Sequence, residues 1–398
     1  MSNPLAYLTE QLESFRQAGT YQRLRELQSA CAAVCRFDGR EVINLASNNY
    51  LGLTNHPKLE EAAMEATRKY GVGSGAVRTI SGTMTLHLEL ERRIAEFKHT
   101  EAAVVFQSGF TANSGTVSAI LGPEDHIISD ELNHASIIDG CRLSRAKIHV
   151  FPHKNLEAAE EKLRALAGQP GHKLLITDGV FSMDGDIGPL PGLVDLAERY
   201  GAIMMVDDAH ASGVLGRSGR GTVDHFGLHG RVHIQVGTLS KAIGALGGYV
   251  CGSRDLIDYL YHRGRPFLFS TSHPPSVAAT CLAAFDLLEQ EPERIENLWA
   301  NTRYFKQALA SAGFQTGASE TPITPILVGE AATAHQFSRE LFDEGLLATG
   351  IGYPTVPPGK ARIRTIVTAT HTRQQLDQAL EILTRVAKRL GILAAVTA

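Results

Sequence analysis

Short apolar runs alternate with segments of helical spacing almost from end to end of this chain, and few architectures accommodate that pattern. Strand-like runs stand at Ala102–Phe106, His126–Ser129, Lys147–Phe151, Leu174–Thr177, Ala202–Val206, Val232–Val236 and Gly248–Cys251. Helical periodicity covers Pro57–Tyr70, Met84–His99, Leu156–Ala167 and Leu190–Tyr200. Strands joined by crossover helices imply an α/β fold with a mostly parallel sheet covered on both faces. After about residue 290 the texture changes. An amphipathic helix at Glu293–Ala312 is followed by a strand at Thr324–Val328, a helix at Thr333–Glu344 and a strand at Arg362–Thr368. A last helix carries Leu376, Leu380, Leu383, Ala387 and Leu390 on one stripe. The expected division is an N-terminal arm (1–45), a large domain (46–290) and a smaller α+β C-terminal domain (291–398).

Composition narrows the function. With 398 residues, 43% of them hydrophobic and 20% charged, the chain can bury a large core, which excludes wholesale disorder. A formal charge of −4 with no basic block argues against a nucleic-acid partner. No apolar stretch is long enough for a membrane span, and MSNPLAYLTEQLESF does not read as a secretory signal. A cytoplasmic location is expected. The scattered Cys31, Cys35, Cys141, Cys251 and Cys281 read as reduced structural thiols, with Cys31 and Cys35 on one helix face. His149/His153 and His225/His229 have metal-like spacing but lack the zinc-protease glutamate, so no metal is expected.

Chemistry concentrates at strand ends. GTLSKAIGALGGY places Lys241 in a small-residue turn after a strand. A P-loop needs glycine before the lysine, where Ser240 stands, so the choice lies between a Schiff-base lysine and a loop lysine. AIMMVDDAH ends a strand on Asp207. An acid there suits a pyridinium nitrogen, although strand-end aspartates also bind magnesium or cap helices. His210 follows it by three residues and could reach a phenolic oxygen. VVFQSGFTANSG offers Gly109 and Phe110 as backbone donors at a helix N-terminus, a ready phosphate site. The Gly-rich run at Gly71 follows a helix, which argues against a dinucleotide fingerprint. In DELNHASIIDG, His134 could stack on a ring, or Asn133 could simply cap a helix. TDGVFSMDGDIGPL offers the Ser182 hydroxyl. Alternation puts Arg362 and Arg364 on one strand face, one to bind a carboxylate and the other a structural arginine.

Taken together, SNNYLGL, LNHASIIDG, TDGVFSMDGD, VDDAH, GTLSK and TATHT resemble, in order and spacing, the α-oxoamine synthase group of fold-type I pyridoxal phosphate enzymes. That resemblance runs from Ser47 to Thr372. It implies pyridoxal 5'-phosphate carried by Lys241, with Asp207 on the ring nitrogen and His134 stacked on the ring. It further implies Ser182 and His210 at the phenolic oxygen, and Asn48 with Arg364 on the substrate carboxylate. Phosphate would fall to Gly109, Phe110 and Thr238, with Ser270 and Thr271 reaching across from a second subunit of a homodimer. Within the group, HASIIDG, RPFLFS and GYPTVPPGKARIRT most resemble glycine C-acetyltransferase, which implies glycine and acetyl-CoA as substrates. Thr271 and Ser240 depart from that member, which usually has asparagine and glycine there. STSHPPS instead resembles 8-amino-7-oxononanoate synthase, which uses alanine and a pimeloyl thioester. A non-catalytic pyridoxal phosphate-binding protein is the remote alternative.

Overall fold

The structure, a computed structural model, describes residues 3–353 and 355–393. Pro354 of the GYPTVPPGKARIRT stretch and the first two residues lie outside the described residues. Two units emerge from the internal packing: one comprises Met1–Ser47, Met183–Gly185 and Asn297–Ala398, the other Asn48–Ser182 and Asp186–Glu296.

The second of these contains a seven-stranded sheet. Its strands in chain order are β1 (Ala102–Phe106), β2 (His126–Asp130), β3 (Lys147–Phe151), β4 (Lys173–Asp178), β5 (Ile203–Asp207), β6 (Ile234–Thr238) and β7 (Gly248–Gly252). Across the sheet they run β1-β7-β6-β5-β4-β2-β3. The strands β2 to β6 pair in parallel, and β7 runs antiparallel to both β6 and β1. Consecutive side chains enter opposite apolar layers. Ile127 joins Val117 and Ile137, whereas Ile128 joins Leu163 and Leu193. Burial on both faces is why the strands read as unbroken apolar runs. It also sends the polar residues to the carboxyl ends of β2, β4, β5 and β6, where such sheets carry their sites.

The first unit has its own core, built on Phe305, Leu309, Phe337, Leu341, Leu376 and Leu383. Strand Ala361–Ile366 lies between Ile323–Gly329 and Thr349–Ile351, antiparallel to both. A second small sheet joins Val34–Phe37, Arg40–Asn44 and Leu346–Leu347. Here one expectation fails. Cys31 and Cys35 share no helix: Cys31 lies in a bend and Cys35 in the strand Val34–Phe37. That strand turns through Asp38 and Gly39, both at positive φ (47° and 80°), to pair with Arg40–Asn44. An Asp-Gly pair between two short strands is a strong hairpin signal, and it outweighs the four-residue cysteine spacing. Among the described residues, no helix is long and apolar enough to cross a membrane.

Candidate active site

The central strand β5 ends in two aspartates that alternation sends to opposite faces. Asp208 is fully buried, and it accepts Lys98 Nζ at 2.7 Å, Thr222 N at 3.1 Å and the Thr222 hydroxyl. Burial works against the Lys98 ammonium, but Asp208 beside it more than compensates and pushes its pKa up. Asp208 is therefore committed to an internal ion pair. Asp207, 4% exposed, faces the other way. Its Oδ1 accepts Ala209 N–H at 2.8 Å and its Oδ2 accepts Asn113 Nδ2 at 2.5 Å. Asn113 lies on helix α1 (Gly109–Ile120) and also donates to Ser136 Oγ at 2.9 Å on helix α2 (Ala135–Ser144). Both oxygens of Asp207 are thus held in place.

His134 stands between β2 and α2. Its own Nδ1 accepts Ser136 N–H at 3.2 Å, so the imidazole caps α2 and the proton of the neutral ring falls on Nε2. Asn133 does not cap that helix. Its side chain donates to Ser129 Oγ and Ile176 O and accepts Asp178 N–H at 2.8 Å. The His134 backbone N–H donates to Asp178 Oδ2 at 2.8 Å. Asp178 ends β4 directly beside Asp207 in the sheet register. Burial, reinforced by the Asp207 charge, raises its pKa well above the ordinary carboxylate range. Burial also lowers the His134 pKa, with Asp207 opposing and Lys241 adding to the effect. Lys241, half-buried in the β6–β7 turn, therefore shares one electrostatic field with His134, Asp178 and Asp207.

The start of α1 offers donors that could hold a phosphate. Ser108 caps the helix by accepting Thr111 N–H at 3.1 Å. The N–H groups of Gly109 and Phe110 belong to the first turn, which has no intrahelical acceptors and carries the positive end of the helix dipole. A Cβ on Gly109 would lie 3.4 Å from Thr238 Cβ, which puts Thr238 beside the helix start. The Thr238 hydroxyl donates to Gly247 O at 2.8 Å and so accepts the Ser240 hydroxyl 2.8 Å away. Thr271 is exposed; it bridges Val77, and its carbonyl accepts Gln107 Nε2 at 2.9 Å beside the same turn. Ser270 next to it is half-buried, as is Ser182 in the turn after β4. His210, 7% exposed, has its Nδ1 2.7 Å from the Tyr50 hydroxyl, which fixes the ring's orientation.

Asn113, Ser136, Asp178 and Tyr50 escaped the sequence reading. Tyr50 and Asp178 lie inside motifs already singled out, and an acid at a second strand end was a usable signal for Asp178. His153 is also explained. It sits 3.0 Å from Asp130 and 2.9 Å from Asp186, and although burial opposes its charge, these carboxylates push its pKa up to about 9. It braces two turns. No cluster of metal-ligating side chains occurs among the described residues.

The other unit resolves the arginine pair. Arg362 is buried and spends its guanidinium on Asp184, on Met183 O at 3.0 Å and on Lys360 O at 3.0 Å. Arg364 is half-buried on the same strand, and Asn48, in the sheet-bearing unit, is half-buried as well. Arg364→Ala is expected to raise the amino-acid KM about ten- to a hundredfold, the worth of a charge-assisted bidentate contact, with the thioester KM little changed. Arg362→Ala should instead lower stability. The reverse assignment in a steady-state assay would move the carboxylate to Arg362.

A buried carboxylate, a lysine, an imidazole and a helix N-terminus could hold pyridoxal phosphate, and the sheet is that of a fold-type I transferase. Comparison with known proteins narrows the class. A model of the aminotransferase class I and II family matches residues 40–383. The 8-amino-7-oxononanoate synthase of Symbiobacterium thermophilum is 61% identical over 387 residues, 97% of this chain and 99% of that protein. The 8-amino-7-oxononanoate synthase 1 of Bacillus subtilis is 57% identical over 99% of this chain and 100% of that one. The solved serine palmitoyltransferase of S. paucimobilis, with bound PLP–myriocin, superposes with a TM-score of 0.94 at 31% identity, covering 98% of this chain and 100% of that one. The chain belongs to the aminotransferase class I and II family and, within it, to the α-oxoamine synthases. It is an acyl-transferring enzyme that uses pyridoxal phosphate.

These findings overturn the expectation of a glycine C-acetyltransferase acting on glycine and acetyl-CoA. The relatives of high identity are 8-amino-7-oxononanoate synthases. HASIIDG, RPFLFS and GYPTVPPGKARIRT thus did not identify the substrates.

Proposed function

We propose that this chain is an 8-amino-7-oxononanoate synthase, condensing alanine with a pimeloyl thioester and releasing the thiol and carbon dioxide. The observation that carries the reading is the 61% identity, across 97% of the chain, to an enzyme of that name. The residues gathered at the strand ends support it. Pyridoxal phosphate bound there supplies an electron sink for negative charge at the alanine Cα. Asp207, its two oxygens fixed by Asn113 and Ala209, would hold the proton on the ring nitrogen. His134 stacks on one ring face; Ser182 and His210 serve the phenolic oxygen. Lys241 takes the Cα proton and returns one to the same carbon after the carboxylate has left. Arg364 and Asn48 would hold and orient the alanine carboxylate.

Gly109, Phe110 and Thr238 hold the phosphate, joined by Ser270 and Thr271 of a second copy in a cytoplasmic homodimer. Supporting that arrangement, Ile80, Phe110 and Phe269 are 82%, 45% and 71% exposed in the segments joined by the Val77–Thr271 bridge and the Gln107–Thr271 hydrogen bond. Clustered apolar side chains of this kind mark a protein interface.

Comparison of kcat/KM for alanine and glycine, each with pimeloyl and acetyl thioesters, tests the reading. Alanine with the pimeloyl thioester should lead. One methyl group discriminates by about 1–3 kcal/mol, so glycine should trail by roughly ten- to two-hundredfold. A lead for any other pair overturns the assignment.

A further inference from the structure

The cysteines form two groups. Cys141, Cys251 and Cys281 are buried, and burial pushes each thiol up to about 12, which makes them poor nucleophiles. Cys31 and Cys35 have a different setting. Cys31 is half-buried, at the bend that leads into the strand carrying Cys35. Ala32 N–H donates to Cys35 Sγ at 3.1 Å. Asn44 Nδ2 lies 3.5 Å from Cys35 Sγ and 3.9 Å from Cys31 Sγ. Each thiol is also the largest influence on the other: the pairing lowers the Cys35 pKa to about 6 and pushes that of Cys31 up. Two thiols reached by one amide, with a backbone donor beside them, are the setting of a reactive dithiol.

Asn44 links this pair to the chain that follows. Its Oδ1 accepts Ala46 N–H at 3.1 Å and Ser47 N–H at 3.2 Å, and its Nδ2 reaches Ala32 O at 3.4 Å. An anionic sulfur is a strong partner for the Asn44 amide, and a neutral disulfide sulfur is a weak one.

We propose that Cys31 and Cys35 form a redox-active dithiol that a small disulfide oxidises to an internal disulfide, loosening Ala46 and Ser47 through Asn44. With oxidised glutathione the pair's thiolate attacks one glutathione sulfur; a protein–glutathione S–S bond forms and one glutathione thiolate leaves. The remaining protein thiol, deprotonated, attacks the protein sulfur of that bond and expels the second glutathione. Two electrons pass to the oxidant, two glutathione thiols form, and the protein loses two hydrogens. The step does not depend on which amino acid or thioester the enzyme uses.

The test is mass spectrometry and amide exchange of the native holoenzyme after incubation with oxidised glutathione near pH 7.5. The wild type should lose about 2 Da within the peptide Glu26–Arg36, with no glutathione retained. Cys31→Ser and Cys35→Ser should not show that loss. In the oxidised wild type alone, exchange at Ala46 and Ser47 should rise by about three- to tenfold, as expected of weakened hydrogen bonds. An unchanged mass, stable glutathione adducts at either cysteine, or a disulfide without faster exchange at Ala46 and Ser47 would overturn the proposal.

Discussion

Asp207→Asn is expected to lower turnover by about a hundred- to ten-thousand-fold while the protein stays folded, the range for losing a buried charge partner at the reacting centre. The geometry allows no substitute. Asn113 Nδ2 points at Asp207 Oδ2 from 2.5 Å, so an asparagine there must either set one NH2 against another or give up the Ala209 contact. In either orientation a neutral amide cannot hold a proton on the ring nitrogen. Asp208 cannot take over, because Lys98 and Thr222 hold it on the opposite face of the strand. Single-turnover kinetics should place the loss on the chemical step, with amino-acid affinity nearly unchanged. Turnover within a few-fold of wild type would show that no acid is needed at the ring.

Lys98→Met should be the most damaging single change to stability away from the site. Lys98 and Asp208 side chains are both 0% exposed and 2.7 Å apart. Removing the lysine leaves an uncompensated carboxylate in the core, which costs about 3–5 kcal/mol. Urea unfolding should show a lower midpoint with an unchanged slope. The double variant Lys98→Met with Asp208→Leu should recover part of the loss, because the charge left behind is itself the penalty. A loss below about 1 kcal/mol for the single change would mean that water reaches Asp208.

Those two variants also mark how far the sequence could be read. The sheet strands were legible because each is a short apolar run closed by polar or small residues. Asp207 and Lys241 were singled out because strand ends carry chemistry in such sheets. The distinction between Asp207 and Asp208 was not legible, since it rests on Lys98, 110 residues away. The choice between Arg362 and Arg364 likewise turns on Asp184, 178 residues from Arg362. Cys31 and Cys35 were misplaced because i,i+4 spacing was weighed above the Asp38–Gly39 turn that fixes the hairpin. Substrate choice was misread for another reason. Residues that hold the cofactor dominate the recognisable motifs, and they are indifferent to the acyl chain.

An 8-amino-7-oxononanoate synthase would discard the alanine carboxylate in the same cycle that forms the new carbon–carbon bond. Alanine labelled in its carboxyl carbon, supplied with a pimeloyl thioester, tests this directly when released thiol and labelled carbon dioxide are followed together. The account predicts one carbon dioxide for each thiol at every time point, with no label in the isolated amino-ketone. Thiol release with the label retained in fresh product would contradict it.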